Sequence, residues 1–127
     1  MILGIGTDIV EISRIRRAVS KEHFKRRVFT DTEINYCESR GQNSAASYAA
    51  RFAAKEAFFK ALGTGIITLL EVEVVNNSHG QPEIFLYGET KKLAQEKGVD
   101  KIFLSLSHSS EYATAVVAIE ERKYNND

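Results

Sequence analysis

This chain of 127 residues is short of cysteine, of proline and of net charge, with one Cys, one Pro and a formal charge of +0. The lone Cys37 excludes an internal disulfide and fits a reducing compartment. The balance of 17 basic against 17 acidic residues excludes a general affinity for nucleic acid or anionic membrane, so neither is expected as a partner. No apolar run approaches the ~20 residues that span a bilayer. The opening residues, Met1-Ile2-Leu3-Gly4-Ile5-Gly6, lack the basic start and long apolar core of a signal peptide, and a cytoplasmic protein is expected. Repeats, linkers and low-complexity segments are missing too, which predicts one domain over residues 1–127. With 43% hydrophobic residues such a chain can bury a core.

What is present is unevenly spread. Arg14, Arg16, Arg17, Lys21, Lys25, Arg26 and Arg27 crowd residues 14–27, where Glu22 is the only acid. A neutral chain with one basic segment points to a local acidic partner. Ile12, Ile15 and Val19 mark one helical face there, with Arg14, Arg17 and Lys21 on another, so the charges face out while the apolar side packs down. Beyond them, Phe24 with Lys25 and Arg27 reads either as an apolar anchor for the partner or as core.

Around this segment the pattern predicts an α+β domain. Residues 2–9 are apolar and β-branched enough for a strand. Thr30-Asp31-Thr32-Glu33 reads as a capping box opening a helix that Arg40-Gly41-Gln42-Asn43 ends. A long alanine-rich helix follows over residues 44–62, stopped by Gly63. Leu70, Val72 and Val74 alternate with Glu71 and Glu73 as in a half-buried strand, and Asn76-Asn77-Ser78-His79-Gly80-Gln81-Pro82 is a turn. A short return strand at 84–87, a helix at 88–97, and strands at 101–107 and 112–120 complete the chain, with a frayed tail from 122.

Two stretches hold the residues that could carry chemistry. Gly4-Ile5-Gly6-Thr7-Asp8-Ile9-Val10-Glu11-Ile12 sets a carboxylate on a short apolar strand. Arg51-Phe52-Ala53-Ala54-Lys55-Glu56-Ala57-Phe58-Phe59-Lys60-Ala61-Leu62-Gly63-Thr64-Gly65 sets another on a helix beside lysines. Carboxylates among cations suit a magnesium ion on a phosphate substrate, because Mg²⁺ takes oxygen ligands and fills its octahedron with water and phosphate. Each residue also has a plainer reading. Asp8 serves equally as the N-cap of a helix starting near Val10 or Glu11. Glu56 could be the surface partner of Lys60 at i+4. Gly63 could be only a helix stop, and His108 only a turn residue.

These stretches, with Ser105-Leu106-Ser107-His108-Ser109-Ser110-Glu111-Tyr112, resemble in order and spacing the holo-[acyl-carrier-protein] synthase family, the phosphopantetheinyl transferases of fatty acid synthesis. The resemblance runs over nearly the whole chain. It implies the phosphopantetheinyl transferase fold, an antiparallel sheet packed against a long helix in a single unit. It implies Mg²⁺ held by Asp8 and Glu56, with catalytic roles for Asp8, Glu56 and Lys60. It also implies contacts from Lys60, Gly63, Thr64 and Gly65 to the phosphates of coenzyme A, with supporting roles for Arg51 and His108. Larger, duplicated relatives carry a second acid two residues after the aspartate. Here that position is Val10, so two protein ligands are expected, as in the short branch.

The implied reaction moves the 4'-phosphopantetheine arm of coenzyme A to a serine of apo acyl carrier protein and releases adenosine 3',5'-bisphosphate. A metal-bound water or Glu56 would take the serine proton. The carrier, being acidic, would dock on Arg14, Arg17, Lys21, Phe24 and Arg27, and family members of this length are homotrimers with sites between subunits. A magnesium-dependent hydrolase of nucleotide pyrophosphates would keep the metal site and need no carrier. A docking module with a basic helix would need no divalent cation. Neither alternative explains all three stretches.

Overall fold

The computed structural model describes residues 1–123; of the expected frayed tail, residues 124–127 lie outside the described residues. The elements run β1 (Ile2–Glu11), α1 (Ile12–Val19), α2 (Glu22–Val28), α3 (Asp31–Glu38), α4 (Ser44–Leu62), β2 (Val72–Asn76), β3 (Pro82–Leu86), α5 (Gly88–Glu96), β4 (Val99–His108) and β5 (Tyr112–Glu121). Short 3₁₀ turns at Gly41–Asn43 and Leu69–Glu71 lead into α4 and β2. β1, β5 and β4 form an antiparallel sheet in that order, while β2 and β3 form a separate hairpin. The α+β architecture with an antiparallel sheet on a long helix is therefore the one the sequence predicts.

α4 is the centre of the molecule. It is buried on nearly all sides, from Ala45 and Tyr48 through Ala53, Ala54 and Ala57 to Leu62, as expected for a helix without a polar face. One face lies on the sheet, where Ala113, Ala115, Val117 and Ile119 of β5 point inward. Ile12 and Ile15 of α1 close over it, and Phe29 packs edge-on against Tyr48 with ring centroids 4.9 Å apart. The helix ends at Gly63, whose φ of 80° is the left-handed cap that glycine adopts without a Cβ penalty.

A buried ion pair ties α3 to α4. The expected capping box forms, with Glu33 N donating to Thr30 Oγ1 at 3.2 Å and Thr30 N donating to Glu33 Oε1 at 2.9 Å. Glu33 is fully buried and also accepts from Lys55 Nζ at 2.7 Å and from Val74 N at 2.7 Å. Lys55 spends its other protons on the carbonyls of Leu69 and Val72. Burial pushes the Lys55 ammonium below its ordinary pKa and Glu33 opposes that shift. Lys55 is thus a structural residue with no route to a ligand.

Three sequence expectations change. The basic segment is two short helices rather than one: Ser20 Oγ donates to the Arg17 carbonyl at 2.6 Å, and the chain turns so that Lys21, with φ −94° and ψ 114°, becomes the N-cap of α2. Lys21 therefore leaves the face it was expected to share with Arg14 and Arg17. Asp8 is not a helix cap, because β1 continues to Glu11 in register with β5, and Glu11 holds the N-cap position of α1. Leu70 and Glu71 lie in a 3₁₀ turn before β2. Glu71 is recruited there to cap α5, its carboxylate accepting from Thr90 N at 3.0 Å, Thr90 Oγ1 at 2.8 Å and Glu89 N at 3.2 Å.

Candidate active site

β1 turns Gly4, Gly6, Asp8 and Val10 toward α4, every second residue as a strand requires. At Gly4 and Gly6 the helix comes so close that an added Cβ would collide with the carbonyl oxygens of Ala61 and Ala57. No alanine fits at either position, so strand and helix backbones touch. Asp8 is the next inward position and has a side chain, 15% exposed, at the margin of this contact. Val10 beyond it is 4% exposed and belongs to the core, while Glu11 faces solvent.

Against Asp8 lie two residues of α4. Lys60 Nζ donates to Asp8 Oδ1 and to the Thr7 carbonyl, both at 3.1 Å. Glu56, half-buried one turn earlier, has its pKa raised first by burial and then by the negative charge of Asp8; Lys60 and Arg14 pull it back. The Asp8 carboxylate is thus near enough to oppose the ionisation of Glu56, with two cations around them. Lys60 is 56% exposed, so its pairing with Asp8 contributes little to stability.

The donor set fits a divalent cation. Two carboxylates supply hard oxygen ligands, and the partly open position leaves room for water or phosphate oxygens. Among the described residues no group of three or more His, Cys, Asp or Glu forms a closed metal cage. Asp8 and Glu56 lie within electrostatic reach of each other, and Arg14 joins them from α1.

Arg51 and His108 lie elsewhere. Five residues separate Arg51 from Glu56, about 140° around the helix and about 7.5 Å along it. Arg51 opens on a cavity of about 200 Å³ that it lines with Tyr36, Arg40, Asn43, Ser47 and His108. It is only 3% exposed, donates to Asn76 Oδ1 at 3.3 Å, and lies with its guanidinium carbon 4.2 Å from the centroid of the Tyr36 ring. His108 ends β4 opposite Ala113, exposed, with Nδ1 3.3 Å from the Ser109 carbonyl. At the end of α4, Gly63 and Thr64 donate their N–H groups to the Phe59 carbonyl at 3.0 and 3.3 Å, and Gly65 is exposed. Among the described residues two buried side-chain polar atoms have no partner: Arg51 Nε, and Thr64 Oγ1 one turn beyond Lys60.

The basic segment is only partly unpaired. Lys25 pairs with Glu22 and Glu38, and Arg26 with Glu22 and Asp31. Arg14, Arg17, Lys21 and Arg27 are exposed and have no carboxylate within 4.0 Å among the described residues. Phe24 is half-buried with its ring 6.3 Å from that of Phe52, which favours its reading as core. Tyr36, Arg40 and Asn76 escape the sequence reading. The i,i+4 spacing of Tyr36 and Arg40 is a signal that could have flagged the first two; Asn76 reads there only as a turn residue.

The raised pKa of Glu56 has a measurable sign. The folded state holds this proton more tightly than the unfolded one, so stability contributed by protonated Glu56 is present at low pH and lost as pH rises through the raised value. Glu56→Gln removes that loss. Without divalent cations its unfolding midpoint is expected to exceed the wild-type midpoint at pH 7, the gap closing toward pH 4. Added Mg²⁺ should raise the wild type alone. A gap that does not change with pH contradicts the arrangement.

The family model described as the 4'-phosphopantetheinyl transferase superfamily matches residues 4–117. Over 126 residues the chain is 47% identical to a holo-[acyl-carrier-protein] synthase of Geotalea daltonii, a match covering 95% of this chain and 100% of that one. The crystal structure of the holo-[acyl-carrier-protein] synthase of Neisseria meningitidis superposes with a TM-score of 0.87 at 36% identity, covering 95% of this chain and 100% of that one. A holo-(acyl-carrier-protein) synthase of Bacillus anthracis in complex with CoA (3',5'-ADP) gives 0.80 at 36% identity, covering 96% and 99%. At this identity and over this length, the chain belongs to the holo-[acyl-carrier-protein] synthases of the 4'-phosphopantetheinyl transferase superfamily.

Proposed function

We propose that this chain transfers the 4'-phosphopantetheine arm of coenzyme A to a serine of apo acyl carrier protein, with Mg²⁺, in fatty acid biosynthesis in the cytoplasm. The observation that carries the reading is the meeting of Asp8, Glu56 and Lys60 at the margin of the strand–helix contact. The serine oxygen attacks the pantetheine-side phosphorus, the bond to the nucleotide phosphate breaks, and adenosine 3',5'-bisphosphate leaves. Such a displacement depends on alignment and charge stabilisation more than on covalent help. Asp8 and Glu56 would hold Mg²⁺, which when bound neutralises and orients the pyrophosphate oxygens. Lys60 offsets the charge that develops on the leaving phosphate. Glu56 would also be the residue to take the serine proton.

The remaining residues sort around this centre. Thr64 Oγ1, which has no partner among the described residues, and the backbone N–H of Gly65 offer donors to phosphate near Lys60, with Gly63 closing the helix between them. Arg51 offers a cation and His108 a ring N–H to the nucleotide end, and a groove of about 710 Å³ bordered by Asn76, Pro82, Ser105 and Leu106 adjoins them through Leu106. Arg14, Arg17, Lys21 and Arg27 present free positive charge for the acidic carrier, and Arg14, which reaches the field of Glu56, joins that surface to the reacting centre.

We further propose a homotrimer with sites between subunits. Two features support it. The sheet face opposite α4 leaves Ile5 and Ile9 63% exposed, Phe103 51% and Val116 46%, an apolar surface suited to burial against another copy. The carboxylate pair and the Arg51 cavity open on different sides of α4, so one coenzyme A meets both more easily across two chains.

Mass spectrometry of apo carrier protein incubated with coenzyme A and Mg²⁺ is expected to show the added arm. Asp8→Ala and Glu56→Ala should each abolish that product while leaving the circular dichroism of the fold unchanged. A wild type that adds no mass contradicts the function. Mixing tests the shared site at a coenzyme A concentration too low for Arg51→Ala to turn over: Asp8→Ala chains refolded together with Arg51→Ala chains should recover part of the activity, because some sites then draw intact halves from each. No recovery in verified mixed trimers, or a fully active monomer, contradicts it.

A further inference from the structure

Tyr36 and Arg40 have no part in the transfer as described, yet both line the cavity that holds Arg51 and His108. The half-buried ring of Tyr36, on α3, is approached by two guanidinium groups. The carbon of Arg51 lies 4.2 Å from its centroid and that of Arg40 lies 5.6 Å away. Cations over a ring face are attracted by its quadrupole, and a planar guanidinium also stacks there. Like charges brought together need a reason. Among the described residues neither arginine has a carboxylate within 4.0 Å, and no acid lines the cavity. Arg51 has almost no access to water, one side-chain acceptor in Asn76, and an Nε–H that donates to nothing among the described residues. A desolvated guanidinium with an unspent donor is costly by itself and is relieved by an anion.

We propose that Tyr36 is a positioning residue: its ring is the shared support that holds Arg51 and Arg40 as a two-guanidinium clamp around this cavity for a phosphate monoester. The identity of that phosphate rests on the function proposed above. Coenzyme A carries a pyrophosphate, which falls to Asp8, Glu56 and Lys60, and a ribose phosphate monoester, which is left for the clamp. A monoester bears close to two negative charges at neutral pH, matching two guanidinium groups. The ring leaves Arg51 little rotamer freedom to lose on binding, so its contribution is to affinity and not to the chemical step.

Steady-state kinetics with coenzyme A and with dephospho-coenzyme A, which lacks the ribose phosphate, test this on Tyr36→Leu and Tyr36→Phe. Tyr36→Leu should raise the KM for coenzyme A about tenfold while kcat and the KM for carrier protein stay within about twofold. Tyr36→Phe keeps the ring and should stay near wild type. With dephospho-coenzyme A, wild type and Tyr36→Leu should have the same KM. The proposal is overturned if Tyr36→Phe is as impaired as Tyr36→Leu, or if the KM for dephospho-coenzyme A rises equally. It is also overturned if all parameters fall together with the unfolding midpoint. Should Tyr36→Leu not fold, Arg51→Lys keeps the charge and loses the planar stack; it should show the same split, and an unchanged KM for coenzyme A overturns the clamp. Calorimetry separates this from the function itself. Weaker binding of adenosine 3',5'-bisphosphate to Tyr36→Leu, with adenosine 5'-monophosphate unaffected, upholds the clamp even if no arm is transferred.

Discussion

The contact between β1 and α4 is the constraint on which the rest of the structure depends. Gly4 and Gly6 remove the side chains that would hold the two backbones apart, and Ala57 and Ala61 present the helix backbone, carbonyl oxygens foremost, that they meet. Contact at this range leaves no room for a ligand along most of its length. It opens only where β1 reaches its first inward polar residue, Asp8, and there Glu56 and Lys60 project from the helix. The site is the place where close packing stops. A methyl group at Gly6 would therefore act on chemistry as well as stability, by forcing apart the two elements that bring the carboxylates together.

The two lysines of α4 show how burial assigns opposite jobs to similar residues. Lys55 is wholly enclosed, and Glu33 with two carbonyls meets its charge completely. Breaking such a buried pair by removing one partner is strongly destabilising, so this network locks α3 and β2 onto the helix. Lys60 lies at a partly open edge, holds Asp8 with an exposed side chain, and can exchange that partner for phosphate at small cost. The helix that carries the site is anchored by one lysine and made responsive by the other. Arg51 stands between these extremes. It is buried like Lys55 but incompletely met: its Nε–H has no partner among the described residues, and the residue lines a cavity.

Much of this was legible in the sequence where the signals are local. The long helix is found at residues 44–62 because its stop is a glycine and its body has no polar face to mislead. The capping box at Thr30 forms as read, since both partners lie three residues apart. Asp8 and Glu56 were legible through the resemblance of their flanking residues. What was not legible depends on distant partners. The strand that carries Asp8 runs on to Glu11 because β5 pairs with it a hundred residues later, which local capping rules do not register. The helix break at Ser20 hides under a hydrophobic period that continues through Val19. Spacing alone could not tell Lys55 from Lys60 as the lysine of the site, because Glu33 and Asp8, which decide it, lie far away in the chain. Glu71 reads as the solvent face of a strand and is instead the cap of a helix that begins seventeen residues later.

The central claim is that Asp8 and Glu56 form one divalent-cation site at the margin of the glycine contact. Titration of Mn²⁺ into the protein with coenzyme A present, followed by electron paramagnetic resonance, reads it directly because bound ions leave the free-ion signal. The expected result is one ion held per chain by the wild type and loss of that ion in both Asp8→Asn and Glu56→Gln, each still folded. Mn²⁺ held equally well after both substitutions would contradict the claim.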